Sequence, residues 1–287
     1  MDKNYYQKPA LTFADQLAKL EQRGMVIEHR DLALEQLACI SYYRLSAYWY
    51  PFRQWDKQGN TTNQFNPGTT FSQVIELYEF DRHLRLLVLD AIERIEIAIR
   101  TQFTYHLAHK YGAFAHIDPS HFHPEFKHAE WLAKLQKEVE RSKDAFIQHY
   151  QQKYHGFPTV PIWMLTEVMS LGSLSVGYNG LQNNKKLGVE DKKAVADRFK
   201  IHHKRLVGWL HTLTYIRNVC AHHSRLWNRE LAIRDDKSKE EFWLPPMTPR
   251  NDRVYYILLI LRCLMRPLGN GDAWATDVTN LLEPISG

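Results

Sequence analysis

Long apolar runs are missing from this chain. The best candidate, residues 255–261, is stopped by Arg262, well short of the 18 or more residues that a helical membrane span requires. The opening residues, Met1-Asp2-Lys3-Asn4-Tyr5-Tyr6, carry no apolar segment of signal-peptide type. Cysteine is scarce: Cys39, Cys220 and Cys263 lie too far apart to build a disulfide framework, which fits a reducing compartment. A cytoplasmic protein without membrane association is therefore expected. A glycine-rich phosphate loop of the Walker type is absent, as is a serine or cysteine nucleophile elbow, so ATP hydrolysis and acyl transfer drop out. Alternating strand patterns bounded by tight turns are rare, which leaves an all-α architecture, although a short hairpin can escape such a reading.

What is present is a large apolar inventory: of the 287 residues 44% are apolar and 13% are aromatic, enough for a substantial core. The net charge of +5 is compatible with a polyanionic partner, and 15 histidines would add positive charge below neutral pH. Helical periodicity places segments near residues 11–23, 31–49, 71–111, 125–154, 161–177, 189–200, 204–223, 251–266 and 273–283. Residues 56–68, with Gly59, Asn60, Asn63, Asn66 and Pro67, form the clearest break. Beyond it, Thr70-x-x-Gln73 is a capping box that starts a helix of about forty residues ending at Gly112. The chain thus divides into an N-terminal helical extension, residues 1–67, and a helical domain, residues 68–287. A further loop, residues 234–249, holds a charged run and Pro245-Pro246.

The richest chemistry lies in Arg217-Asn218-Val219-Cys220-Ala221-His222-His223, followed by Ser224-Arg225-Leu226-Trp227-Asn228-Arg229. A guanidinium grips phosphate through a planar fork of donors, and an imidazole titrates close enough to neutrality to move protons either way. These are the parts of a metal-independent ribonuclease. Spacing alone does not carry the reading, because about one Arg-x4-His match is expected by chance in this composition. Arg198 to His203 is a second match, and Arg100 to His106 a looser one. The surrounding Asn218, the doubled histidine and the Leu226-Trp227-Asn228-Arg229 tail set the first apart.

Leu206, Trp209, Leu210, Leu213, Ile216 and Cys220 form a helical stripe that includes Arg217, so a half-buried guanidinium needing a carboxylate or a phosphate is expected. Glu93, Glu96 and Glu167 are the candidate carboxylates, and a salt bridge that merely fastens two helices is the plainer alternative. His222 projects about 140° away from Arg217 on a regular helix. Either the helix ends or bends near residues 220–223, or a second copy of the chain supplies the complementary groups across a two-fold axis. A homodimer with a composite cleft is the preferred expectation. Arg217, Asn218 and His222 are then the catalytic candidates, with Asn218 equally suited to capping the helix. His223, Arg225, Asn228 and Arg229 are candidate RNA-backbone contacts, although such residues after a helix are as often merely solvated.

Arg44, beside the aromatic run Ala47-Tyr48-Trp49-Tyr50-Pro51-Phe52, is a further RNA-contact candidate; these rings either stack bases or pack the N-terminal helices. On the long helix, Glu93, Glu96 and Arg100 share a side with Leu86, Leu89 and Ile97, which suggests burial on two faces; Glu96 and Arg100 form an i,i+4 pair in the favourable order. His116, His121, His123 and His128 cluster, but without the paired spacing of a zinc site, so neither a metal nor another cofactor is expected.

Four features together resemble the abortive-infection (Abi) proteins of the AbiD/AbiF type over about residues 8–270. They are Arg217-Asn218-x-x-x-His222-His223 with its tail, Ser41-Tyr42-Tyr43-Arg44-Leu45, the helix from Tyr78-x-Phe80-Asp81 to Glu93-Arg94-Ile95-Glu96, and Pro161-x-Trp163-x-x-x-Glu167. The resemblance implies membership of the HEPN superfamily of helical ribonucleases, whose Arg-x4-6-His motif sits at a dimer interface. Arg217 and His222 then take the catalytic positions. It also implies an endoribonuclease toxin of phage defence, with RNA as substrate and, in some members, a small structured RNA as antitoxin. The alternative is a non-catalytic RNA-binding protein or sensor.

Overall fold

In a computed structural model of the chain, the residues described are 5, 7, 9–184, 189–232, 248–269 and 271–283. The protein is all-α, with two short two-stranded sheets among the described residues. Two compact units divide it, Met1–His83 and Leu84–Gly287. The expected loop over residues 234–249 lies, except for Thr248 and Pro249, outside the described residues.

The first unit holds α1 (Phe13–Gln22), α2 (Arg30–Ile40), α3 (Tyr42–Trp49) and a hairpin of β1 (Arg53–Trp55) with β2 (Thr61–Phe65). The segment expected to be one helix over residues 31–49 is two, because Ser41 takes φ 71° and its hydroxyl caps α3 on the Arg44 amide. The hairpin is one of two strand pairs that periodicity missed: Asp56 closes its turn by accepting the Asn60 and Gln58 amides, bonds that hold its carboxyl below the usual range. Tyr48 and Trp49 are buried with Leu17, Leu20, Leu37, Leu45 and Phe65, and Tyr42 meets Trp49 edge-on at 4.8 Å, so these rings pack the unit. Tyr43 points outward.

Helix α4 (Phe71–Tyr111) begins at the expected reciprocal cap: the Gln73 amide donates to Thr70 Oγ1 at 3.1 Å, and the Thr70 amide to Gln73 Oε1 at 3.0 Å. It ends at Gly112, whose φ of 89° suits a residue without Cβ. The second unit continues with α5 (His128–Arg141), α6 (Ala145–Lys153), α7 (Ile162–Val168), α8 (Leu171–Gly180), β3 (Asn183–Asn184), β4 (Val189–Glu190) and α9 (Asp191–Asp197). Then come α10 (His203–Ala221), α11 (Val254–Met265) and α12 (Gly271–Leu282). The segments anticipated at 125–154 and 161–177 each split at a serine turn. Ser170 caps α8, and Glu138 of α5 accepts hydrogen bonds from its amide and hydroxyl. Gly177 lets α8 approach α5: a Cβ there would fall 2.5 Å from Trp131. Helix α8 also packs along α10, whose buried face runs through Leu206, Trp209, Leu210, Leu213 and Ile216.

Candidate nucleic-acid interface at the end of helix α10

Helix α10 stays regular through Ala221 and then stops in a Schellman motif. The Ser224 amide donates to the Val219 carbonyl at 3.0 Å and the His223 amide to the Cys220 carbonyl at 3.0 Å. This closure puts His223 at φ 55°, a left-handed conformation that costs a non-glycine residue free energy. Past it Leu226 turns back into the core, the Arg229 amide bonds the Leu226 carbonyl, and Asn228 adopts φ 48°, which asparagine tolerates well.

The consequence is a polar cap at the helix end. Arg217, Asn218, His222, His223 and Asn228 are exposed, while Arg225 and Arg229 are half-buried. Arg217 is not half-buried as its azimuth on the stripe implied; near the helix end the buried face runs through Ile216, Val219 and Cys220 and leaves Arg217 outside it. Its guanidinium donates to Asn218 Oδ1 at 3.4 Å and to no carboxylate among the described residues. Asn218 offers its carbonyl to the His222 amide at 3.0 Å, so it serves the helix end with its backbone and Arg217 with its side chain. Because α10 does not bend before residue 221, Arg217 and His222 keep the divergence of about 140° that a regular helix imposes.

The carboxylates expected to serve Arg217 are elsewhere. Glu96 pairs with Arg100, both side chains being 17% exposed. The Arg100 guanidinium also donates to the carbonyls of Glu167 at 2.9 Å and Met169 at 2.6 Å, and to that of Thr166. Arg100 thereby satisfies the C-terminal carbonyls of α7, which no residue of α7 itself could do. Glu93, Glu96, Arg100 and Glu167 line one open groove of about 740 Å³ with Tyr105 and Trp163. The Glu167 side chain is exposed, so the apolar run that surrounds it in sequence does not bury it. Nor is this side of α4 buried, since Leu86 and Ile97 are 51% and 56% exposed. Arg44 lies half-buried on α3 in the first unit, apart in sequence from the other candidates.

The clustered histidines act structurally. His121 stacks on Tyr111 at 3.7 Å and bonds the Ala115 carbonyl, while His128 bonds the His116 carbonyl at 2.9 Å. His116 is 2% exposed, and burial, aided by the charge of His128, holds its imidazole down to about 4. Among the described residues no group of three or more histidine, cysteine or acidic side chains is placed to hold a metal ion, and no helix is long and apolar enough to cross a membrane.

The family model described as Abi-like protein matches residues 35–228, a span that takes in the aromatic segment, α4, the α7 run and the whole Arg217 to Asn228 cap. The chain belongs to the Abi-like protein family. That membership points to abortive infection, a phage-defence function. No curated protein and no solved structure matches the chain.

Proposed function

We propose that the protein is a metal-independent endoribonuclease of the HEPN type, acting as the toxin of an abortive-infection or toxin-antitoxin system. The observation that carries this reading is the cap on α10: an exposed guanidinium that meets no carboxylate among the described residues, next to an amide and two exposed imidazoles. Such a set is open to a phosphodiester. In the reaction, an RNA 2′-oxygen attacks the adjacent phosphorus while an imidazole takes its proton. The 5′-oxygen leaves with a proton from a second imidazole, giving a 2′,3′-cyclic phosphate and a 5′-hydroxyl. Arg217 stabilises the charge gathering on the phosphoryl oxygens. His223, Arg225, Asn228 and Arg229 hold flanking phosphates, and a small structured RNA is the proposed antitoxin.

One copy of α10 aims Arg217 and His222 apart, so two copies related by a two-fold axis are proposed to line a single cleft, each contributing an Arg217 and a His222. The same divergence is what a non-catalytic RNA-binding protein would tolerate in a monomer, which keeps that second reading distinct. Incubation with RNA in EDTA separates them. Cleavage with cyclic phosphate ends, reduced by about 10²- to 10⁴-fold in His222→Ala at unchanged melting temperature, is the expected outcome. Intact RNA with tight, salt-sensitive binding would establish the binding protein instead.

A further inference from the structure

The second Arg-x4-His match lies in the most basic stretch of the second unit, Arg198-Phe199-Lys200-Ile201-His202-His203-Lys204-Arg205. His203 in it is committed, with its Nε2 3.2 Å from Asn183 Nδ2. The cations around it are not. Between α9 and α10 the chain turns through Lys200, at φ 55°, and opens a cavity of about 470 Å³ lined by Lys200, Arg205, Arg266, Phe199 and Trp209. No carboxylate lines it among the described residues. Asp197 and Asp272, the acids beside it in sequence, are taken by Lys193 at 2.6 Å and Arg262 at 3.3 Å. Arg205 lies over the Trp209 ring, 5.8 Å from its centre, and neither Lys200 nor Arg266 makes a side-chain ion pair among the described residues.

Three cations that converge on one cavity repel each other, and the repulsion grows against the apolar wall of Phe199 and Trp209, both 1% exposed. A bound anion relieves it. A multiply charged tetrahedral oxyanion suits the set best, because two guanidinium forks and an ammonium supply directed donors to several oxygens at once. We propose that this cavity is a phosphate-binding site, separate from the cap at the other end of α10. Arg205 and Arg217 are twelve residues apart, about 18 Å along the helix. The volume falls in the range of small-molecule sites, so a free nucleotide fits, and so does one phosphate of an RNA strand.

Isothermal titration of the full chain with inorganic pyrophosphate tests the site, beside anisotropy of a labelled 2′-O-methyl RNA that no 2′-hydroxyl attack can cleave. The triple variant Lys200→Gln/Arg205→Gln/Arg266→Gln is expected to weaken at least one of the two by tenfold or more without lowering the melting temperature. Loss of pyrophosphate binding alone assigns the site to a free phosphate or nucleotide. A loss of RNA affinity with a flatter salt dependence assigns it to the RNA backbone. Arg94→Gln, which removes a cation paired with Asp90 on α4, serves as the charge control. The proposal is overturned if neither ligand responds to the triple variant, or if the control weakens binding equally. Both readouts are binding, so the outcome is independent of whether RNA is cut at the cap.

Discussion

Arg100 on α4 and Arg217 on α10 carry the same side chain into opposite surroundings. Arg100 meets Glu96 and three carbonyls at the end of α7, whereas Arg217 has one 3.4 Å contact to the neighbouring Asn218. The imidazoles repeat the contrast: His116 is sealed in the second unit's interior, and His222 stands in solvent. Groups of the first kind belong to the fold: removal of Arg100 leaves desolvated partners behind, and His116 fills the interior. Groups of the second kind add little to folding and are free to meet a ligand. Within one unit, burial therefore separates architecture from candidate chemistry more sharply than residue type does.

Arg100→Met gives the largest effect on stability. It strands Glu96 and uncaps α7, and is expected to cost about 3–5 kcal/mol in denaturant unfolding. Arg217→Met, by contrast, should stay within about 0.5 kcal/mol of the parent. Equal losses in the two variants would erase the contrast between sealed and open guanidinium groups.

The imidazole pair sharpens it next. The folded chain holds the His116 imidazole down to about 4 from an ordinary 6.5, so between these values the unfolded chain binds a proton that the folded one refuses. Stability is complete above about pH 6.5, falls as the pH drops toward 4 and levels off below it. The whole step is about 3 kcal/mol. His116→Phe should flatten the profile in that window, and His222→Ala should leave it unchanged. A profile that His116→Phe does not alter would show that the acid sensitivity arises elsewhere.

Much of this arrangement could be read from the chain, for local reasons. The capping box at Thr70 and the glycine at 112 delimit α4 because both signals act within one turn. The splits were also encoded locally, at Ser41 and Ser170 by hydroxyls that cap the next helix and at residues 142–144 by a turn in which Ser142 bonds Asp144, but continuous apolar periodicity across them masked the breaks. The Arg217 and His222 cap stood out by composition, yet its exposure did not: the apolar stripe gives only a mean direction, and near the helix end the buried face turns to Ile216, Val219 and Cys220, leaving Arg217 outside it. The Arg100 seal on α7 joins residues 66 to 69 positions apart, beyond any local pattern. The basic run at residues 198–205 was visible, but its convergence with Arg266 depends on α11 returning beside α10.

The smallest effect concerns His223, which occupies the left-handed position of the α10 cap where glycine is the ordinary choice. His223→Gly removes the Cβ penalty and so favours the folded cap, while a more flexible unfolded chain and the loss of what the imidazole contributes oppose that gain. A net rise of a few tenths of a kcal/mol, and at most about 1 kcal/mol, is expected in thermal unfolding. RNA affinity should fall in the same variant, because the side chain held there at a conformational cost is one of the two imidazoles of the cap. A gain in stability joined to a loss in RNA binding places His223 with Arg217 among the groups kept open for a ligand. A loss of stability with binding intact would move it to the side of Arg100, as a residue whose side chain serves the fold.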